Sequence, residues 1–234
     1  MTHLPIEKGA DVRAMFDRIA PTYDLLNGVL TLGLDERWRK LAVTALAPVP
    51  NDHILDLCAG TLDLTRHVVR REPGVRITAV DAAAQMLDEG EHKISDAASV
   101  ETVVADALDL PFDSGTFDGA ICGFGMRNLA DLDQGLNECR RVLKPGASLV
   151  VLEFFRPTGN YERLFHQAIN RTVVPLFGRL LSGDHSAYLY LAKSMETFDS
   201  VQDFVDRGKT HGFETSLHRS LFPGVASLVV LRNT

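Results

Sequence analysis

Positive charge is in short supply in this 234-residue chain: 24 Lys and Arg stand against 31 Asp and Glu, for a formal charge of −7. Phosphate backbones are gripped by clustered Lys and Arg, so an acidic chain without a basic run is not expected to bind nucleic acid. Cysteine is scarce too. Cys58, Cys122 and Cys139 are an odd number with no CxxC spacing, which excludes a disulfide framework and a cysteine zinc site and fits a reducing, cytoplasmic compartment. No apolar run reaches the roughly 18–20 residues that span a bilayer. Met1–Ala10, with Pro5 and Glu7, has no apolar signal core. There is no internal repeat, no low-complexity segment, no histidine pair at metal-ligand spacing, and no Ser-His-Asp or Cys-His set. What is present is an ordinary globular composition, 45% hydrophobic and 24% charged. The length suits a single domain with an appended lobe, able to bury a core without staples.

Short β-branched runs alternate with helical patterns from about residue 53 onward. His53–Cys58, Val75–Val80, Val100–Val104, Gly119–Cys122 and Ser148–Phe154 read as strands, the last as a fully apolar one. Asp63–Arg71, Ala83–Ile94 and Asp131–Leu143 read as helices. The last of these has Asp131 and Gln134 as its cap, Arg140 and Arg141 at its end, and Pro145-Gly146 as its stop. This alternation implies a doubly wound, mostly parallel α/β sheet with helices on both faces. Residues 1–48 read as a helical cap at one edge, 49–155 as a nucleoside-binding core, and 156–197 as a helical insertion. Residues 198–234 read as a helix (Ser200–His211) followed by an antiparallel hairpin of Phe213–His218 and Val225–Leu231.

The strongest local signal is ILDLCAGTLDLT at 54–65. A strand ending at Asp56-Leu57 runs into a turn of small residues (Cys58, Ala59, Gly60) and then a helix from Thr61, so the backbone and the free helix N–H groups lie open to a ligand. The second strand ends in Asp81, 21 residues after Gly60, where a doubly wound sheet sets an acid against a ribose diol. Asp106-Ala107 follows the third strand, placed for an adenine edge. Strand-end turns without a ligand are the plainer alternative. A dinucleotide is disfavoured, because residues 58–63 carry one glycine where its pyrophosphate cradle needs three.

The chain resembles the class I S-adenosylmethionine-dependent methyltransferases, and within them the ubiquinone/menaquinone-biosynthesis C-methyltransferases. The resemblance runs from about residue 12 to 232, through FDRIAPTYDLLN (16–27), LGLDERW (32–38), DLCAGTLDLT (56–65), DALDLPF (106–112), FGMRNLADLDQGLNECRRVLKPGASLVVLEF (124–154) and SAYLYLAKSM (186–195). It implies a Rossmann-like seven-stranded sheet and an S-adenosylmethionine site, with S-adenosylhomocysteine as product. The cofactor-side set is Tyr23, Asp56, Gly60, Thr61, Asp81, Asp106, Ala107 and Gly123. Departures from the family pattern are Leu62 for a glycine, expected to narrow the approach to the methionine end, and Gly123 for a serine. Asp35 stands for a histidine, Phe155 for a serine, and Phe222-Pro223 precedes Gly224 where a small polar residue is usual.

On the acceptor side, a hydroquinone carbon is activated by ionisation of its hydroxyl, so a base or a phenolate-stabilising cation is sought. Arg127-Asn128 follow the fourth strand at the carboxyl edge. Arg127 is read as stabilising a phenolate or positioning a water, against a salt bridge to a helix. Tyr23, Asp24 and Asn27 are read as a lid over the cofactor, against a helix cap. His166 and Tyr188 join Arg127 as catalytic candidates, and Asn128, Asp184 and His185 as substrate contacts, with packing as the plainer role of each. Tyr188 and Tyr190, two apart, fall on different helix faces. The patch Val173–Leu181, with Arg163, Arg171 and Arg179 beside it, is either core or the mouth of a prenyl tunnel touching lipid headgroups. The implied partners are a small aromatic or quinol substrate, a membrane surface touched peripherally, and a second copy through the hairpin edge. A non-quinone aromatic or polyketide substrate and a non-catalytic cofactor-binding scaffold stand as alternatives.

Overall fold

The computed structural model describes residues 9–95, 97, 99–159 and 185–234, leaving aside the side chains of Leu30, His185, Ser186, Tyr188 and Leu189. Two helices, α1 (Ala10–Leu30) and α2 (Leu34–Leu46), precede the sheet. Then β1 (His53–Leu57), α3 (Asp63–Arg71), β2 (Arg76–Asp81), α4 (Ala84–Gly90), β3 (Val100–Val104) and β4 (Phe117–Gly123) alternate. They are followed by α5 (Leu132–Val142), β5 (Leu143–Glu153), α6 (His185–Thr197), α7 (Val201–Thr210), β6 (Phe213–Leu221) and β7 (Ala226–Asn233). The seven strands lie in the order β3-β2-β1-β4-β5-β7-β6. The first five are parallel, β7 runs antiparallel to β5, and β6 antiparallel to β7. This is the doubly wound sheet with an added hairpin that the alternation implied.

The period-two pattern of the strands sorts the core into two layers. Leu55, Leu57, Leu149, Val151, Val229 and Leu231 point to one face, against Leu136 of α5 and Phe204 of α7. Their neighbours Ile54, Val150, Leu152, Leu228 and Val230 point to the other, against Trp38, Ala42 and Val43 of α2 and Val68 of α3. Fully burying each such side chain contributes about 1.5–3 kcal/mol relative to water. Asp131 caps α5 as expected, accepting from the Gln134 N–H at 3.0 Å. Ser200 and Asp203 close a capping box on α7.

Of the N-terminal helices, α2 lies across the face of β4 and β5, and α1 against α4. Three readings are corrected by the fold. Pro145-Gly146 falls inside β5, where pairing jumps from Phe117↔Leu143 to Gly119↔Ser148, an irregularity that tolerates a proline lacking its N–H. The apolar strand carries a fully buried carboxylate, Glu153. The helix expected over 83–94 breaks at Gly90 into a 3-10 turn, Glu91–Lys93. Gly90 packs so closely on the cofactor-side loop that a Cβ would lie 2.5 Å from the Thr61 carbonyl carbon. Of the helical insertion, residues 160–184 lie outside the described residues, including His166, Asp184 and the patch Val173–Leu181.

Candidate active site

Strand order reverses between β1 and β4, and the crevice at their carboxyl ends is where such sheets bind ligands. A cavity of about 370 Å³ opens there. The loop after β1 follows an unusual path: Cys58, Gly60 and Leu62 all have positive φ, at 55°, 54° and 63°. For Cys58 and Leu62 this left-handed conformation costs about 1–2 kcal/mol each. Leu62 is compensated by complete burial with Ala79 and Leu87. Its side chain is therefore turned away from the cavity and does not narrow the methionine end, contrary to the sequence expectation.

Asp81 ends β2 and fastens this loop. Its Oδ2 accepts from the Gly60 N–H at 2.9 Å and its Oδ1 from the Ala83 N–H at 2.8 Å. Asp81 lines the cavity, and a carboxylate oxygen that accepts one N–H has capacity for a further donor, which is what a vicinal diol requires. Burial pushes the Asp81 carboxyl above its usual range, against these two N–H donors. Asp106 accepts from the Leu108 N–H at 2.9 Å and lines the same cavity with Ala107, Gly60, Gly123 and Tyr23. Gly123 cannot become serine without displacing Leu64, whose Cδ1 would lie 2.6 Å from a Cβ there. Gly125, two residues on, lets the β4 loop approach Cys58, whose Cβ would stand 2.4 Å from an added one.

Two cofactor-side candidates are not on the cavity wall. Thr61 is buried and donates its hydroxyl to Asp24 Oδ1 at 2.5 Å. Asp56 lies buried beneath the loop, accepting from the Thr65 hydroxyl at 2.6 Å, while its Oδ1 has no partner. Burial pushes its carboxyl up to about 7, against the Thr65 hydrogen bonds. A carboxyl with a pKa raised by folding favours the folded state fully below its unfolded value of 3.8, and loses that contribution as pH rises through about 7. Asp56→Asn, which cannot ionise, is thus expected to raise the melting temperature at pH 8 more than at pH 5. Equal shifts in thermal melts at the two pH values would count against a proton held on Asp56.

Beside this polar cavity lies a second, apolar one of about 410 Å³. Phe16, Tyr23 and Phe124 line both and form the partition between them. Trp38, Phe154, Leu191 and Phe222 supply other walls, from α2, the residue after β5, α6 and the hairpin loop. Its polar groups are few. Arg127 is buried at its inner end, with Nη1 donating to Glu153 Oε1 and to the Phe124 carbonyl, each at 2.6 Å. The guanidinium lies 5.6 Å from the centroid of the Phe154 ring. Its Nε is buried without a partner. Burial works against this charge, but the Glu153 carboxylate outweighs it and keeps the guanidinium protonated. Of the two readings of Arg127, the structure shows the salt bridge, to a strand and not a helix, on a side chain that also lines the apolar cavity.

Asn128 lines the polar cavity, donates to the Phe124 carbonyl at 3.1 Å, and accepts from the Tyr190 hydroxyl at 3.1 Å. Tyr190 is a tyrosine the structure brings here; the side chains of Tyr188 and His185 lie outside the described residues. Its spacing shows why: Ala187, Tyr190, Leu191 and Met195 line the cavity from one face of α6. Burial raises the phenol pKa of both Tyr23 and Tyr190, so each stays a donor. Of the residues read as either a lid or a helix cap, Asp24 is anchored. Asp24 pairs with Lys93 at 2.5 Å, and Lys93 reaches Asp63 at 2.9 Å. Asp17 of α1 accepts from the Gln85 N–H at 3.1 Å, serving the first turn of α4, which has no side-chain cap of its own. Asp35 proves to line the apolar cavity, held by Arg39 and by the Thr31 hydroxyl at 2.7 Å. Sequence reasoning did not single out Trp38, Glu153 or Phe154. Among the described residues no cluster of three or more His, Cys, Asp or Glu could hold a metal ion.

The ubiE/COQ5 methyltransferase family matches residues 4–230 of the chain. A demethylmenaquinone methyltransferase of Thermotoga maritima is 40% identical over 217 residues, 92% of this chain and 93% of the relative. A ubiquinone/menaquinone biosynthesis C-methyltransferase UbiE of Geotalea daltonii is 39% identical, over 95% of this chain and 96% of the relative. Among solved structures, the [4+2]-cyclase SpnF superposes with a TM-score of 0.71 at 14% identity, covering 100% of this chain and 99% of its own. A geranyl diphosphate C-methyltransferase from Streptomyces coelicolor A3(2) superposes with a TM-score of 0.65 at 16% identity, covering 86% and 80%. At such identities the structural likeness speaks to the fold alone. The sequence match spans the chain from the lid to the hairpin, and with it the chain belongs to the ubiE/COQ5 methyltransferase family, as an S-adenosylmethionine-dependent methyltransferase.

Proposed function

We propose that the chain methylates a ring carbon of a prenylated hydroquinone, such as demethylmenaquinol or a polyprenyl benzoquinol. The observation that carries this reading is the pair of adjoining cavities, one polar at the strand ends and one apolar, sharing a wall of Phe16, Tyr23 and Phe124. The names of the relatives, demethylmenaquinone methyltransferase and ubiquinone/menaquinone C-methyltransferase, support the same ring class.

The residues of the polar cavity fit S-adenosylmethionine: Asp81 offers acceptor capacity to a diol, and Asp106 an acceptor for an exocyclic amine. When bound, that group supplies an electrophilic methyl on a sulfonium. Asp81 and Asp106 hold the nucleoside end, and the lid residue Tyr23 covers the cavity from α1. The apolar walls orient a flat ring and exclude water, which strengthens the field of any charge inside. Arg127, permanently charged, stabilises the phenolate form of a ring hydroxyl and so raises electron density at the neighbouring carbon. Asn128 and Tyr190 fix the loop that carries it. His166 and His185 remain our candidates for the group that takes the ring proton, with Asp184 and Tyr188 as substrate contacts.

A prenyl tail ties the substrate to the bilayer, so peripheral membrane contact belongs to this reading; among the described residues no helix is long and apolar enough to cross a membrane. Pairing of a second copy along β6 has against it the exposed Glu214 and Arg219 on that edge. The test is a mass-spectrometric assay of purified protein with S-adenosylmethionine and a chemically reduced demethylmenaquinol analogue. A product heavier by one methylene, with an equal amount of S-adenosylhomocysteine, is expected. Donor binding without product on any hydroquinone would overturn the reading.

A further inference from the structure

The apolar cavity opens through an apolar lip. Among the described residues, seven large hydrophobic side chains are exposed, and three of them, Leu25 (56%), Val29 (37%) and Leu32 (86%), come from the end of α1 and the turn after it. A fourth, Phe222 (76%), comes from the β6–β7 loop. Val29, Leu32 and Phe222 line one cavity, and the Trp38 indole N–H donates to the Phe222 carbonyl at 3.1 Å, fastening the hairpin loop to α2. Leu25, Val29 and Leu32 are spaced i, i+4, i+7, a single stripe on a helix and its continuation. The chain carries no charged residue from 25 to 34 or from 220 to 231.

Such exposure is costly in water, and scattered singly would mean little, but clustered at a cavity mouth it marks a contact surface. The charges that follow or precede it in the sequence narrow the partner. Arg37 and Lys40 on α2 and Arg219 at the end of β6 are exposed and make no ion pair among the described residues. In a chain of net charge −7, three unpaired cations close in sequence to an uncharged apolar lip suit a surface that is apolar within and anionic at its face.

We propose that this lip, Leu25, Val29, Leu32 and Phe222, is where the protein rests on a lipid bilayer, with Arg37, Lys40 and Arg219 toward anionic headgroups. The proposal rests on the hydroquinone reading and deepens it: the ring enters from the membrane through the lip, and the tail stays in the lipid. It is separate from the patch Val173–Leu181, outside the described residues, which the sequence left as either core or a tunnel mouth.

The test is sedimentation with vesicles of phosphatidylcholine, with and without phosphatidylglycerol, using the full chain. Wild-type protein is expected to sediment with both and more with phosphatidylglycerol. Leu25→Ser/Leu32→Ser is expected to weaken vesicle binding by about tenfold or more, since two side chains leave the lipid. Leu25→Ser alone, off the cavity wall, is expected to weaken binding while keeping turnover of a short-tailed hydroquinone in vesicle-free solution. Arg37→Gln/Arg219→Gln is expected to lose only the phosphatidylglycerol increment. Wild-type protein that stays in the supernatant, or lip variants that sediment as the wild type does, would overturn the proposal. So would light scattering in which the lip variants dissociate a dimer, which would make the lip an interface between copies. Sedimentation needs neither donor nor turnover, so failure of ring methylation and failure of membrane docking are read separately.

Discussion

Glu153→Ala is expected to lower the stability of the fold by about 3–5 kcal/mol, read as a fall in the midpoint of urea unfolding. Glu153 is fully buried at the end of β5 and accepts from Arg127 Nη1 at 2.6 Å, from the Phe154 N–H at 2.7 Å, and from the Arg127 N–H at 3.3 Å. Burial pushes its carboxyl up and Arg127 pulls it back. Removing the carboxylate leaves a buried guanidinium that cannot shed its proton and has lost its counter-charge. A domain whose whole stability is about 5–15 kcal/mol cannot lose that much unnoticed. Glu153→Leu/Arg127→Met removes both charges and is expected to recover most of the stability while abolishing methyl transfer, which separates the structural use of the pair from its chemical one. A loss below about 1 kcal/mol in the single variant would show that the cavity is wet enough to solvate the guanidinium.

Asp81→Ala is expected to weaken binding of S-adenosylhomocysteine by roughly 10- to 100-fold, as charge-assisted hydrogen bonds contribute about 1.5–3 kcal/mol each. The variant also strips acceptors from the Gly60 and Ala83 N–H groups, loosening the loop whose positive-φ residues hold the cavity open. Calorimetric titration reads the change. Since burial raises the Asp81 pKa, acidification is expected to weaken binding in the wild type as the carboxylate is lost, and to leave the alanine variant largely unaffected. Unchanged affinity in Asp81→Ala would remove this residue from the diol.

These two residues differ in how far the sequence reveals them. Asp81 ends an apolar run at a fixed distance from a small-residue turn, and local periodicity alone places it at the carboxyl edge. The two-faced strands are legible for the same reason, because Ile54 and Leu55, or Val150 and Val151, must face opposite layers. Glu153 is concealed by its neighbours: at the end of so apolar a strand it passes as a solvated terminus, and only the return of Arg127 from β4 explains its burial. The apolar cavity is less legible still, assembled from α1, α2, the segments after β4 and β5, α6 and the hairpin loop, which share no common period. Leu62 and Asp35 show the same limit from opposite sides. Both are visible as departures from the family pattern. Only packing reveals that Leu62 is turned into the core while Asp35 stands on the cavity wall.

Because α1 supplies Phe16 and Tyr23 to the partition, one helix shapes both chambers at once. A substitution there that admits a bulkier ring also alters the space left to the methyl donor. Trp38, Leu191 and Phe222 touch the apolar chamber alone. Redesign toward a different acceptor can therefore vary ring preference at positions such as these independently of donor affinity, whereas at Phe16, Tyr23 and Phe124 each gain is traded against it.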